Sequence, residues 1–437
     1  MEIKRDSYLN QLIAKMHNGR IKIITGIRRC GKSYLLTTLF KNYLLESGIQ
    51  EDQIVEIALD KKEFDDLRNP NALYDYILAR IDNTQQYYIF IDEIQLSYKV
   101  KKAGIDESMI AIEDRDLIYT TFYDVLSDLR SRPNLDVYVT GSNSKLLSKD
   151  VATNFRDRGV EIRLHPLSFS EYYPISGKEK ADAWEEYLIY GGMPLAVLEE
   201  DDREKAKYLS ELFTKVYVAD VVERFGVTDT YVSNLIDVLC SAVGSLTNPL
   251  KLANTLNTVN HAGTTDKTVK KYLDVLEDAF LFQSAKRYDV KGKAHMASPS
   301  KYYAEDVGLR NARLNFRQTE ETHLMENIIF NELVRRGYSV DVGVVRFAET
   351  VNGKKTEKQH EIDFVVNLGD RKIYIQSAFS IADEQKRAQE IKPLLKSGDF
   401  FKKIVVVGGS QKARMDENGI MYIGIIPFLL DDRSLEK

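Results

Sequence analysis

An α/β fold built around a buried parallel sheet is what this sequence predicts, and three observations predict it. A glycine-bracketed turn separates a β-rich run from an apolar helical pattern between residues 21 and 39. A nearly continuous apolar run at 87–91 ends in two acidic residues. A third run, 135–140, breaks into small polar residues. Strands that are apolar without alternation suit a sheet covered on both faces by crossover helices.

The first run, Ile21-Lys22-Ile23-Ile24-Thr25, meets Gly26, and Tyr34, Leu35, Leu36 and Leu39 open a helix after Lys32. Between them Gly26-Ile27-Arg28-Arg29-Cys30-Gly31-Lys32-Ser33 fits G-x-x-x-x-G-K-[ST] in the required strand, turn, helix context. In that pattern backbone N–H groups and the helix N-terminus cradle phosphate oxygens, so Gly26 through Tyr34 are the candidate nucleotide contacts. Lys32 would reach the β- and γ-phosphates and Ser33 would bind Mg²⁺, which makes ATP and Mg²⁺ the expected cofactors. Asp92 and Glu93 close the second run, where the carboxyl edge of a parallel sheet meets its ligand. Asp92 is expected to hold Mg²⁺ and Glu93 to polarise the attacking water. After Thr140 comes Gly141-Ser142-Asn143-Ser144. Asn143 is the expected contact to the γ-phosphate or the water; Ser142 and Ser144 are rivals, and a plain helix cap is the alternative.

The stretches "GIRRCGKS", "IFIDEIQ", "VTGSNSKLL", "LHPLSFSEYY" and "YGGMP", in order over roughly the first 220 residues, resemble the bacterial and archaeal P-loop ATPases of the AAA+ superfamily, in the archaeal-ATPase-like group. The resemblance implies a five-stranded parallel core over 1–168 and a helical lid over 169–235. It also implies a homo-oligomer in which a neighbouring subunit supplies an arginine. Arg156 and Arg158 are the candidates; their order, Arg-Asp-Arg-Gly, departs from the relatives' Gly-Arg, and a salt bridge to Asp157 or Glu161 is the plain alternative. Arg28 and Arg29 could face a phosphate, a neighbouring subunit or solvent. The segment 97–119 is long, mixed in charge and without periodicity, and no chemistry attaches to it.

Residues 236–312 read as a winged helix-turn-helix. Val269, Tyr272, Leu273, Leu276 and Phe280 form one apolar stripe, which leaves Lys267, Lys270 and Lys271 outside, and a hairpin with a basic turn follows. The functional reading sets that helix in a DNA major groove with Lys286, Arg287, Lys291 and Lys293 against phosphates; the plain reading is a packing module with a solvated lysine face.

Residues 313–437 follow the order α-β-β-β-α-β, similar to the restriction-endonuclease-like core. Glu326 on the first helix and Asp363 on the second strand sit where that fold holds metal ligands. The third position departs: Gln376 stands in place of the glutamate and Ala378 in place of the lysine. An inactive descendant of the fold is expected, and an unrelated α/β domain is the alternative.

With 43% apolar and 29% charged residues the 437-residue chain has ordinary globular composition, and its length calls for two to four domains. A net charge of -5 excludes a uniformly cationic coat, so nucleic-acid contact requires a local basic surface. Cys30 and Cys240 cannot build a disulfide framework, no Cys/His cluster has metal-ligand spacing, and no run approaches the ~20 apolar residues that cross a bilayer. A cytoplasmic protein is expected. The function expected is Mg²⁺-dependent ATP hydrolysis coupled to DNA binding or remodelling; the alternative is a nucleotide-gated switch acting on a protein partner without nucleic acid.

Overall fold

The structure, a computed structural model, describes residues 3–82, 84–141, 158–226, 229–260, 263–351, 354–381 and 383–436. The chain divides into two compact units, Met1–His165 and Pro166–Lys437.

In the first unit the strands are β1 (Ile21–Thr25), β2 (Ile54–Ala58), β3 (Tyr87–Asp92), β4 (Val100–Lys101), β5 (Tyr119–Thr120), β6 (Leu135–Thr140) and β7 (Gly159–Arg163). Five of them form the expected parallel sheet, in the order β2-β3-β6-β1-β7. Parallel neighbours need crossover helices, and the local sequence starts them cleanly. The helix Pro70–Leu78 begins at Asn69, whose side chain accepts from Asn71 N at 3.0 Å, with proline in the first turn. The helix Phe122–Ser131 opens on a capping box of Thr121 and Asp124. Leu73, Ile77, Val125, Leu126 and Leu129 of these helices pack on Val55, Ile57, Ile89, Ile91, Val137 and Val139 of the sheet. Because β1, β3 and β6 are neighbours with one polarity, Thr25, Asp92 and Thr140 finish along one edge. The segment after β3 folds back as the antiparallel pair β4–β5 and leaves Met109, Ile112 and Leu117 exposed.

The second unit carries an eight-stranded sheet of β8 (Phe282–Asp289), β9 (Ala294–Ala304), β10 (Ser339–Val351), β11 (Lys354–Leu368), β12 (Arg371–Ala378), β13 (Lys402–Val407), β14 (Arg414–Met415) and β15 (Ile420–Gly424). Its order is β14-β15-β13-β12-β11-β10-β8-β9. The strands β10, β11 and β12 form an antiparallel meander, and the helix Glu384–Leu395 carries the chain across to β13, parallel to β12. The hairpin β8–β9, expected as the wing of a winged helix-turn-helix, is part of this sheet through parallel pairing of β8 with β10, Gly343 lying opposite Tyr288.

Helices fill the segment expected as a lid, including Phe169–Ser176, Lys180–Tyr190 and Asp202–Glu211. They are part of the second unit. A distant helix, Val307–Arg313, binds them: Asn311 Nδ2 donates to the carbonyls of Leu188 and Ile189 at 3.0 and 2.9 Å, satisfying the end of Lys180–Tyr190. Asp306 accepts from Gly192 N at 2.7 Å and lies against Gly191, where a Cβ would meet its carboxylate at 2.3 Å. Burial of Asp306 pushes its carboxyl up to about 6 in spite of the N–H groups of Gly192, Leu309 and Gly308.

Candidate functional site

The loop after β1 is shaped by a close backbone approach. Gly26 has φ 142 and faces the carbonyl of Leu164, which would lie 2.1 Å from any Cβ, so glycine alone fits. Ile27 and Cys30 are fully buried and can offer a ligand only backbone, while Arg28 and Arg29 are exposed. Gly31, at φ 101, turns the chain into the helix that begins at Lys32, and Tyr34 is half-buried in its first turn.

Lys32 is 4% exposed, and its Nζ donates to the carbonyls of Gly26 at 3.1 Å and Ile27 at 3.2 Å. Both acceptors are neutral. A buried ammonium held inside the loop by carbonyl dipoles is a receptor for an anion, and by this the loop fits a nucleotide phosphate.

Across from it Ser33 Oγ donates to Asp92 Oδ2 at 2.7 Å, joining the hydroxyl and the carboxylate expected to hold Mg²⁺. Burial raises Asp92; bonds from Thr140 and Ser33 pull it down, and the nearby Glu93 and Asp60 push it up again. A hydroxyl and a carboxylate in an acidic, partly dry setting are the hard oxygen donors that suit Mg²⁺. Glu93 follows with φ 53 and ψ 48, the left-handed region that glutamate seldom adopts. Its carboxylate accepts from the Gln95 amide.

Thr140 holds this pair together. Ile91 lies opposite Val139 in the β3–β6 ladder, which brings Thr140 level with Asp92. The fully buried hydroxyl of Thr140 donates to Asp92 Oδ1 and accepts from Glu93 N, the latter at 3.0 Å. Thr140 and Gln95 were absent from the expected site. The available signal was a polar side chain ending a buried strand one residue before the predicted sensor loop.

The other candidates scatter. Asn143, Ser142, Ser144 and Arg156 lie outside the described residues. Arg158 precedes β7 at the edge where β1 begins, its carbonyl accepting from Ile21 N and its Nη1 donating to Ser127 Oγ at 3.3 Å. It therefore sits at the opposite sheet edge from this chain's phosphate loop. Glu161, a suggested partner for an arginine, accepts from Thr25 Oγ1 at 2.6 Å.

Lys267, Lys270 and Lys271 are exposed along the helix Asp266–Asp278, and Lys286, Lys291 and Lys293 are exposed on the hairpin. Lys291 also donates to the carbonyl of Arg346 at 2.9 Å. Arg287 corrects the expectation of a phosphate contact. The β8–β9 register shifts between Ala285 and Arg287, and the guanidinium is buried with Nη2 on Gln359 Oε1 at 2.9 Å.

Glu326 and Asp363 do meet in one buried cluster. Gln376, also buried, accepts from Asp363 N at 3.4 Å and donates to Glu390 Oε2 at 3.0 Å. Among the described residues no group of three or more His, Cys, Asp and Glu side chains is arranged to hold a metal ion, and no helix is long and apolar enough to cross a membrane.

Comparison with known proteins covers nearly the whole chain. Residues 18–173 match an AAA domain, 181–320 a domain of unknown function (DUF8612), and 321–427 another (DUF4143). The last two matches give no support to a restriction-endonuclease-like assignment. The chain is 34% identical over 435 residues to an uncharacterized protein of Haemophilus influenzae, covering 98% of each. It is 28% identical over 439 residues to an uncharacterized protein of Methanocaldococcus jannaschii, covering 95% of this chain and 88% of that one. Among solved structures, the Walker-type ATPase of Pyrococcus abyssi aligns at a TM-score of 0.43 and 14% identity, over 72% of this chain and 96% of that one, a likeness too loose to carry an assignment.

Proposed function

Because this chain belongs to one family with the Haemophilus influenzae protein and contains an AAA domain with a nucleotide-binding loop, we propose that it is an Mg²⁺-dependent ATPase that converts ATP and water to ADP and phosphate. The observation that carries the reading is the 2.7 Å bond between Ser33 Oγ and Asp92 Oδ2, set beside a buried Lys32 ammonium whose acceptors are neutral carbonyls.

Ser33 and Asp92 would hold Mg²⁺, which when bound offsets the negative charge of the β- and γ-phosphate oxygens. Lys32 leaves the carbonyls of Gly26 and Ile27 for the phosphates, and the backbone N–H groups from Ile27 to Tyr34 orient them. Glu93 takes or orients the proton of the attacking water, with the Gln95 amide on one of its carboxylate oxygens. Asn143 remains the proposed γ-phosphate contact. Arg156 and Arg158 remain the candidates for an arginine supplied in trans within a homo-oligomer, since a residue acting on a neighbour's site need not lie near its own phosphate loop.

The finer reading is that nucleotide state is coupled to DNA. Lys267, Lys270 and Lys271, exposed on one helix, and Lys286, Lys291 and Lys293, exposed on the hairpin, support it, whereas Arg287 does not. A nucleotide-gated switch acting on a protein partner is the alternative. A cytoplasmic location is part of the proposal, in keeping with two buried cysteines that form no disulfide. The test is phosphate release by the full chain, alone and with duplex, single-stranded or branched DNA, at low and moderate salt. Stimulation that falls with salt and is weakened in Lys267→Ala/Lys270→Ala/Lys271→Ala is expected. Unchanged turnover in Lys32→Ala would refute the ATPase, and turnover indifferent to all DNA would leave the protein-partner switch.

A further inference from the structure

Three carboxylates of the second unit converge on one ammonium. Lys301, on β9, is 3% exposed, with Nζ 2.8 Å from Glu326 Oε1, 2.6 Å from Glu361 Oε1 and 3.7 Å from Asp363 Oδ1. Tyr303, two residues along β9, donates to Glu326 Oε1 at 2.7 Å, and Ser377 N donates to Asp363 Oδ2 at 2.8 Å. Burial by itself would favour a neutral lysine. The three carboxylates outweigh it and hold Lys301 above its ordinary range. Burial and Glu326 hold Asp363 well above its own range, with Lys301 pulling the other way.

A helix glutamate and a strand aspartate meeting over a sheet of this order form the kind of centre in which a hydrolytic domain keeps a divalent ion. The residues present do not fit one. The lysine Nζ stands among the carboxylates where the ion would be, and the Gln376 amide is already committed to Asp363 N and Glu390. Ala378 offers no base. The centre is also roofed: a Cβ on Gly244 would stand 3.2 Å from Glu326 Oε1, so backbone lies against the carboxylate, and Glu326 and Asp363 are each 7% exposed.

We propose that Lys301 is a built-in counter-cation standing where a divalent metal ion would sit. The centre is then a closed ionic clamp between the β8–β9 hairpin, the helix Glu321–Arg335 and β11, and it neither binds metal nor cleaves nucleic acid. The clamp crosses from the segment matched at 181–320 into the one matched at 321–427, so those two segments fold as one body. This inference is independent of the ATPase reading.

Removing one partner of a buried ion pair is costly because the opposite charges are left stranded. The test uses the full chain with Asp92→Asn throughout, so that the phosphate site takes up no ion, and Mn²⁺ alone as the probe, counted from the free-ion EPR signal. The Lys301 protein should bind no Mn²⁺ above background. Lys301→Met should melt roughly 5–15 °C lower in EDTA and take up about one Mn²⁺ per chain, recovering part of its stability. Lys301→Met/Glu326→Gln should melt above Lys301→Met, since one stranded charge leaves with the lysine, and should lose the Mn²⁺. The proposal is overturned by Mn²⁺ uptake in the Lys301 protein that Asp363→Asn abolishes, by a folded Lys301→Met that takes up none, or by a double variant no more stable than Lys301→Met.

Discussion

Replacing Thr140 with valine keeps the shape of a fully buried side chain and removes the hydroxyl that joins Asp92 to Glu93. Two bonds are lost. One reaches a carboxylate, and hydrogen bonds to charged groups contribute about 1.5–3 kcal/mol. The other fixes the N–H of Glu93, a residue at φ 53 that holds its strained conformation only while its surroundings impose it. Only the part of this energy felt more strongly in the transition state changes turnover. A loss of about 1.5–3 kcal/mol there corresponds to roughly a 10- to 100-fold fall in kcat. The bond from Thr140 also draws the Asp92 carboxyl downward against burial. Without it Asp92 ionises at higher pH, so the acidic limb of the kcat profile moves upward and more Mg²⁺ is needed for half-maximal rate. Phosphate release against Mg²⁺ and pH, with a melting curve for each variant, measures all three effects. Thr140→Ser, which restores the hydroxyl, should recover most of the rate. Thr140→Val indistinguishable from the parent in kcat, Mg²⁺ dependence and acid limb would refute the reasoning.

Gly26→Ala should misfold or lose several degrees of melting temperature, because its Cβ meets the Leu164 carbonyl at 2.1 Å in a region of φ closed to alanine; a melt at the parental temperature would contradict this. Asp306 carries its proton to about pH 6 when folded and to about 3.8 when unfolded, so the stability tied to that proton is complete below pH 3.8 and lost as pH rises through 6. The change is about 3 kcal/mol for this fully buried group, and denaturation midpoints of Asp306→Asn should lack that slope between pH 4 and 6.5. Residues 321–427 expressed alone should show no cooperative unfolding, since β10 loses β8 and Glu326 and Asp363 lose Lys301.

The phosphate site was legible because its chemistry is local. Gly26, Lys32 and Ser33 lie on one turn, and Asp92 and Glu93 end one apolar run, so spacing alone marks them. Thr140 was hidden because its role depends on the register of β3 against β6, two strands that sequence places over forty residues apart. Arg287 reads as a surface cation on a basic hairpin; only the fold shows that it shares the buried face of β8 with Ala285 and meets Gln359. The hairpin itself carries every mark of a wing, and the pairing that makes it part of a larger sheet is a parallel contact with a strand fifty residues on. The helices at 169–211 were visible as helices, but their partners Asp306 and Asn311 lie more than a hundred residues away. Lys301 resembles any strand lysine until the fold brings three carboxylates to it.

The most direct test of the central claim is the comparison of nucleotide binding with phosphate release in Glu93→Gln. The parent should turn over ATP with Mg²⁺ and stop in EDTA. Glu93→Gln should bind a fluorescent ATP analogue as tightly as the parent and release phosphate at least about 100-fold more slowly, as expected when a group that handles the water's proton is lost. Parental phosphate release from Glu93→Gln, or a parent that binds no nucleotide, would contradict the account.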